Sequence, residues 1–162
     1  MGERRIQLRP MNEGDRAWFS AALRNEEFMA FSAGVAAGGD ADAWCSRFIE
    51  LNRTIGFAKQ PVVERASGRV LGYCGVGPWT WRGRETWEMG WRLVPEARGK
   101  GYASEAARVM LERAAAEGAR EVWAIIDPLN EPSKRVARAV GFEFRCRAVV
   151  DGYLDQLYRW SP

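Results

Sequence analysis

The sequence predicts an α/β (α+β) fold of about seven strands and about four helices, and three observations carry that expectation. Apolar spacing switches repeatedly between period two and period 3.6 along the chain. Two turn signals, Ser67-Gly68 and Asp151-Gly152, each separate a pair of strand-like runs and so mark hairpins. A glycine-rich turn, Arg98-Gly99-Lys100-Gly101, joins an extended run to an amphipathic one. With 162 residues, 47% of them hydrophobic and 28% charged, the chain reads as one domain spanning 1–162. That length buries a core without help from metals or disulfides.

The elements follow in order. Ile6 to Arg9 alternates and stops at Pro10, a first strand. A helix runs from Asn12 or Asp15 to about Arg24, with Ala17, Trp18, Ala21 and Ala22 as its apolar stripe. Glu26 to Gly39 reads as loop or short helix. A second helix spans Asp40 or Asp42 to Asn52, one of the two aspartates capping it. Pro61 to Arg65 and Val70 to Gly77 form a hairpin, and glycines at 72, 75 and 77 point to close approach by another element. Pro78 to Gly83 reads as a loop carrying Trp79 and Trp81. Thr86 to Val94 is the fourth strand, with Trp87, Met89, Trp91 and Leu93 on one face and Glu88, Gly90 and Arg92 on the other. A helix from Tyr102 to Glu117 stops at Gly118. Arg120 to Ile126 is a buried strand, Asn130 caps a helix ending at Gly141, and strands at Glu143–Val150 and Tyr153–Trp160 close the chain.

Composition excludes several classes. Net charge is +3, with 21 arginines and 3 lysines spread evenly, which is too mild to demand nucleic acid as partner. No run of about 18 apolar residues exists and the N-terminus lacks an apolar signal core, so a membrane partner is not expected and a cytoplasmic location is. Cys45, Cys74 and Cys146 are odd in number and in no ligand spacing, and histidine is absent, so no metal is expected. Acid-base chemistry therefore falls to Glu, Asp, Tyr, Ser or water.

The turn after the fourth strand is an anion cradle in outline: glycines free the backbone amides, and the helix behind them adds partial positive charge. It fits neither GxxxxGK[ST] nor GxGxxG, since no Gly-Lys-Ser/Thr string occurs and position 104 is Ser. Arg98-Gly99-Lys100-Gly101-Tyr102-Ala103 resembles instead the (Q/R)xxGx(G/A) loop of the GNAT superfamily of acyl-CoA-dependent N-acetyltransferases. Glu88-Met89-Gly90-Trp91 before it, Glu105-Ala106 after it, and Asn130-x-x-Ser133 running to Gly141-Phe142 extend the resemblance over nearly the whole chain. It is closest to the Rim-type branch, which acetylates protein N-terminal amines. The resemblance implies the GNAT fold, a central mixed and mostly antiparallel sheet, and acetyl-CoA as co-substrate.

It also implies site residues. The pyrophosphate of acetyl-CoA would lie on the amides of residues 98 to 103, with Arg98 and Lys100 adding charge. The pantetheine arm would pair with the fourth strand through Trp91 and Leu93. Glu88 is expected as base for an amine acceptor, or as the partner of an arginine such as Arg92. The tyrosine that many members carry on the helix after the fifth strand is absent, leaving Ser133 as donor to the thiolate or as a first-turn residue bonding its own backbone. Asn130 is an N-cap that either does or does not also touch pantetheine. Phe28, Phe31, Trp79 and Trp81 are candidate acceptor walls, with core packing or edge covering as the other reading. The acceptor is a protein N-terminus or small amine, the assembly a monomer or homodimer. A non-catalytic acyl-CoA sensor on the same fold is the alternative.

Overall fold

The computed structural model describes residues 3–31 and 38–162. Its strands are β1 (Ile6–Leu8), β2 (Gln60–Glu64), β3 (Val70–Trp81), β4 (Arg84–Leu93), β5 (Val122–Ile126), β6 (Glu143–Val150) and β7 (Tyr153–Trp160). They form one seven-stranded sheet in the order β1-β2-β3-β4-β5-β7-β6. Every pairing is antiparallel except β4 with β5, which is parallel and limited to the register Glu88↔Trp123. Beyond that position the two strands part.

Four helices cover the sheet: α1 (Arg16–Leu23), α2 (Gly38–Thr54), α3 (Tyr102–Ala116) and α4 (Glu131–Ala139). On one face, Val76, Met89, Leu93, Val122, Ala124 and Tyr158 pack with Ala106, Met110 and Ala114 of α3 and Ala137 of α4. The small alanines of α3 let its backbone lie close to the strands, and removing this apolar surface from water is the main stabilising term. On the other face, Tyr73 meets Phe19, Leu23 and Phe28 together with Cys45 and Phe48 of α2. The period-two reading of β4 holds: Met89 and Leu93 are in the first core, flanked by Trp87 and Trp91.

Three expectations are corrected, and a fourth is described only in part. The buried side of α1 is Phe19, Ser20 and Leu23, while Ala17 and Ala21 are exposed. Small alanines are weak evidence for a buried stripe when larger apolar groups lie one residue along. Helix α2 starts at Gly38, placing Asp40 inside its first turn; Asp42 instead accepts a hydrogen bond from Ser20 Oγ at 2.9 Å and so ties α2 to α1. The expected loop over 26–39 is described only to Phe31, and residues 32–37 lie outside the described residues. Pro78 to Trp81 is strand, not loop: β3 continues in register with β4 as far as Trp81↔Arg84. The turn is Arg82-Gly83, with φ of 49° and 77°. Two consecutive left-handed residues form the tight hairpin turn that matches strand twist, and arginine in place of Asn or Asp hides the signal.

Other local expectations stand. Asp151 and Gly152 have φ of 49° and 86°, the predicted two-residue hairpin turn. The Ser133 amide donates to Asn130 Oδ1 at 3.1 Å, so Asn130 caps α4. Gly75 is approached as expected: a Cβ there would lie 2.2 Å from the Ala58 carbonyl oxygen.

Asp15 is a buried anchor before α1. Arg9 donates to it twice, at 2.7 and 2.8 Å, and the Asn12 amide once, at 3.0 Å. Burial pushes its carboxyl up, but the Arg9 hydrogen bonds and charge, with the Asn12 amide, outweigh that and hold it below the usual carboxylate range. A depressed folded value adds stability above the unfolded value of about 4, which is lost as pH falls through the folded one. Asp15→Asn is therefore expected to melt below wild type at pH 7 and to lose less stability than wild type on acidification below about pH 4. Urea melts at both pH values check this.

Candidate active site

The loop following β4 has the geometry of an anion cradle. Gly99 and Gly101 have φ of 72° and 83°, a region that costs other residues about 1–2 kcal/mol. Arg98's amide is consumed by Pro95 O at 3.1 Å, whereas the amides of residues 99 to 104 meet no acceptor among the described residues. The open set thus begins one residue later than expected and runs into the first turn of α3. Arg98's guanidinium turns back from the cradle, donating to Leu93 O at 3.1 Å and Glu27 O at 2.9 Å. Lys100 is exposed, and its carbonyl accepts from Arg5 at 2.9 Å. Arg5 also pairs with Glu105 at 3.0 Å and stacks 4.7 Å from the Tyr102 ring centroid. Tyr102 and Ala103 open α3 behind them, so the cradle is braced by Arg5, just ahead of β1.

From this loop β4 leads back past Leu93 and Trp91 to Glu88. Past Glu88 its β5 side is free of ladder pairing, because the parallel register stops there. Glu88 pairs with Lys59 at 3.2 Å, their side chains 22% and 18% exposed. Burial works against the Lys59 charge, but the Glu88 charge and hydrogen bond, helped by Tyr73, outweigh it and raise its pKa. Lys59 is therefore a cation at neutral pH. The expected arginine partner is corrected: Arg92 donates to Tyr73 Oη at 3.3 Å and to the carbonyls of Phe28 and Ala30 at 3.1 and 3.0 Å. Arg92 and Arg98 together fasten the 27–30 segment to β4 and its loop.

Directly opposed residues share a face. One row across the sheet is therefore Gly77, Glu88 and Trp123, and the neighbouring row holds Trp79 and Thr86. Trp79 stacks on Trp81 at 5.3 Å, and Trp123 lies 6.2 and 6.5 Å from their ring centroids. Trp79 and Thr86 also line a cavity of about 310 Å³. Of the candidate walls, Phe31 is 51% exposed with φ of 63°, whereas Phe28 is 2% exposed and set edge-on against Trp18 and Tyr73. Phe28 is thus a core ring rather than a wall. Ser133 is half-buried at the start of α4, its hydroxyl without a partner among the described residues.

A model of the acetyltransferase (GNAT) domain matches residues 5–143. The chain belongs to this family. Among relatives, the uncharacterized protein YkkB of Bacillus subtilis is 29% identical over 142 residues, 86% of this chain and 83% of that one. A GNAT phosphinothricin acetyltransferase from Sinorhizobium meliloti, solved with acetyl-CoA, superposes with a TM-score of 0.77 at 22% identity, covering 97% of this chain and 88% of its own. The ribosomal-protein-S5-alanine acetyltransferase of Vibrio fischeri gives 0.77 at 20%, covering 99% and 95%. This GNAT chain carries the family's sheet, and among its described residues no helix is long and apolar enough to cross a membrane and no group of His, Cys, Asp or Glu is arranged to hold a metal.

Sequence reasoning missed Lys59, Trp123, Tyr73 and Gly77. Lys59 had one signal: it is one of 3 lysines among 24 basic residues. Its ammonium is a point charge on a flexible stem, where an arginine would present a planar fork.

Proposed function

We propose that this GNAT protein is an N-acetyltransferase that moves the acetyl group of acetyl-CoA directly onto a primary amine, as its single-domain, 1–162 chain in the cytoplasm. The observation that carries it is the position of Glu88, a half-buried carboxylate at the point where β4 and β5 part, in line with a cradle of open amides. The pyrophosphate rests on the amides from Gly99 to Ser104. Five residues of β4 separate Leu93 from Glu88, a rise of roughly 17 Å. An extended pantetheine arm along Trp91 and Leu93 covers that span, with Asn130 beside it.

The amine attacks the thioester carbonyl as its free base. At pH 7 about a tenth of an α-amine (pKa ~8) is unprotonated, against less than a thousandth of a lysine amine (pKa ~10.4). Glu88 receives the proton directly or through water, while Lys59 fixes the carboxylate's rotamer and balances its charge. Ser133, whose hydroxyl has no partner among the described residues, donates to the departing thiolate. The favoured acceptor is one that needs little help to shed its proton, an α-amine of a protein N-terminus or of a small molecule.

Acetyl-CoA turnover followed as free thiol with dipeptides, amino acids, polyamines and aminoglycosides is the test. Release with an amine supports transfer and identifies the acceptor chemistry. Binding of acetyl-CoA without release from any of them sinks the small-amine reading and returns the sensor alternative.

A further inference from the structure

Gly77 is a glycine with no backbone reason to be one. Gly72 and Gly75 have φ of 152° and are crowded by backbone, whereas Gly77 lies in ordinary extended geometry and a Cβ there would meet nothing within 4 Å among the described residues. Glycine weakens a strand interior, because it adds chain entropy and contributes no packing. An open position that any small residue fits, held by glycine in the middle of β3, marks space that is kept for something else.

The neighbours say what that space is for. Gly77 stands directly opposite Glu88, on the same face and in the same row as Trp123, with Trp79 two residues along. Lys59 lies across Gly90 instead, its Cε 3.2 Å from where a Cβ would be, so the Lys59–Glu88 pair walls the niche without entering it. The result is a bare patch of strand with a carboxylate on one side and two half-buried indoles around it. A carboxylate beside indole faces attracts an ammonium group and the slender carbons next to it.

We infer that Gly77 is the specificity-determining floor of the acceptor site. A primary amine docks with nitrogen beside Glu88 and its first carbons flat on Gly77, between Trp79 and Trp123, and amines whose nitrogen-bearing carbon carries three further carbons are excluded. This rests on the N-acetyltransferase reading for its purpose, but it is tested by binding alone.

The probes are n-butylamine and tert-butylamine, and the readout is the indole N–H resonances of Trp79 and Trp123, assigned through Trp→Phe variants. In wild type, n-butylamine is expected to shift both resonances saturably and tert-butylamine neither. Gly77→Val is expected to raise the apparent Kd of n-butylamine by about tenfold or more, a few methyl groups' worth of exclusion, with acetyl-CoA affinity unchanged. Gly77→Ala gives a smaller rise with a melting temperature at or above wild type, which keeps the test readable if the valine variant folds poorly. No shift in wild type, equal shifts from both amines, or undiminished binding in the alanine variant overturns the inference. Absence of turnover with any amine, with these shifts intact, would count against the transferase reading and leave the niche standing.

Discussion

Glu88→Gln is expected to lower kcat by about a hundredfold, roughly 2.7 kcal/mol of transition-state stabilisation, while leaving the Kd of acetyl-CoA within twofold. The split follows from geometry. The open amides of residues 99 to 104 lie beyond Leu93, at the far end of β4, whereas Glu88 stands at the point where β5 departs. Glutamine keeps the size of the side chain and an oxygen that accepts from Lys59, so the 3.2 Å contact survives without its charge. What is lost is the capacity to take a proton. The loss should hold across the pH range in which wild type is active, and a variant with wild-type kcat would remove Glu88 as the base. An acceptor-dependent result is informative too: a lysine-like amine, with its far smaller free-base fraction, should lose more than an α-amine.

The sequence made the strands, the helices and the cradle legible because each is written in local chemistry. Alternation in β4, the alanine-rich face of α3, the Asn130 cap and the Asp151-Gly152 turn need no partner to be recognised. The β3–β4 turn was illegible because Arg82 adopts a conformation that arginine does not advertise. Site partnership was harder still. Lys59 meets Glu88 from 29 positions away, through a segment that is neither helix nor strand, and no local pattern specifies such a pairing. The same holds for Arg92 and Arg98. Arg98 looked like charge added to an anion site and Arg92 like a partner for Glu88, and both are occupied by backbone carbonyls of the 27–30 segment. A cation's charge is readable in sequence; the acceptor it finds is a property of the fold.

Gly75→Ala is expected to be the most destabilising of the single-methyl additions considered, by more than about 3 kcal/mol, with the melting temperature falling by roughly 6–12 °C. Two costs add. At φ of 152° the backbone is one that side chains resist, and the new Cβ would lie 2.2, 2.5 and 2.6 Å from Ala58 O, Ala58 C and Lys59 Cα. Those atoms are backbone and have no rotamer through which to retreat. They are also held in place, since Phe57 O accepts from the Val76 amide at 2.9 Å and Ala58 bridges Val76 in parallel register. Relief therefore requires the 57–59 segment to lift from β3. That movement carries Lys59 away from Glu88, so whatever fraction stays folded should also show a reduced kcat. Gly77 lies two residues along the same strand and face, and an added methyl group there meets open space. Differential scanning calorimetry of the two alanine variants side by side gives opposite signs if the crossing segment sits where it is described. A Gly75→Ala protein melting within about 1 °C of wild type would mean that residues 57–59 do not press on β3, and the support assigned to Lys59 would fall with it.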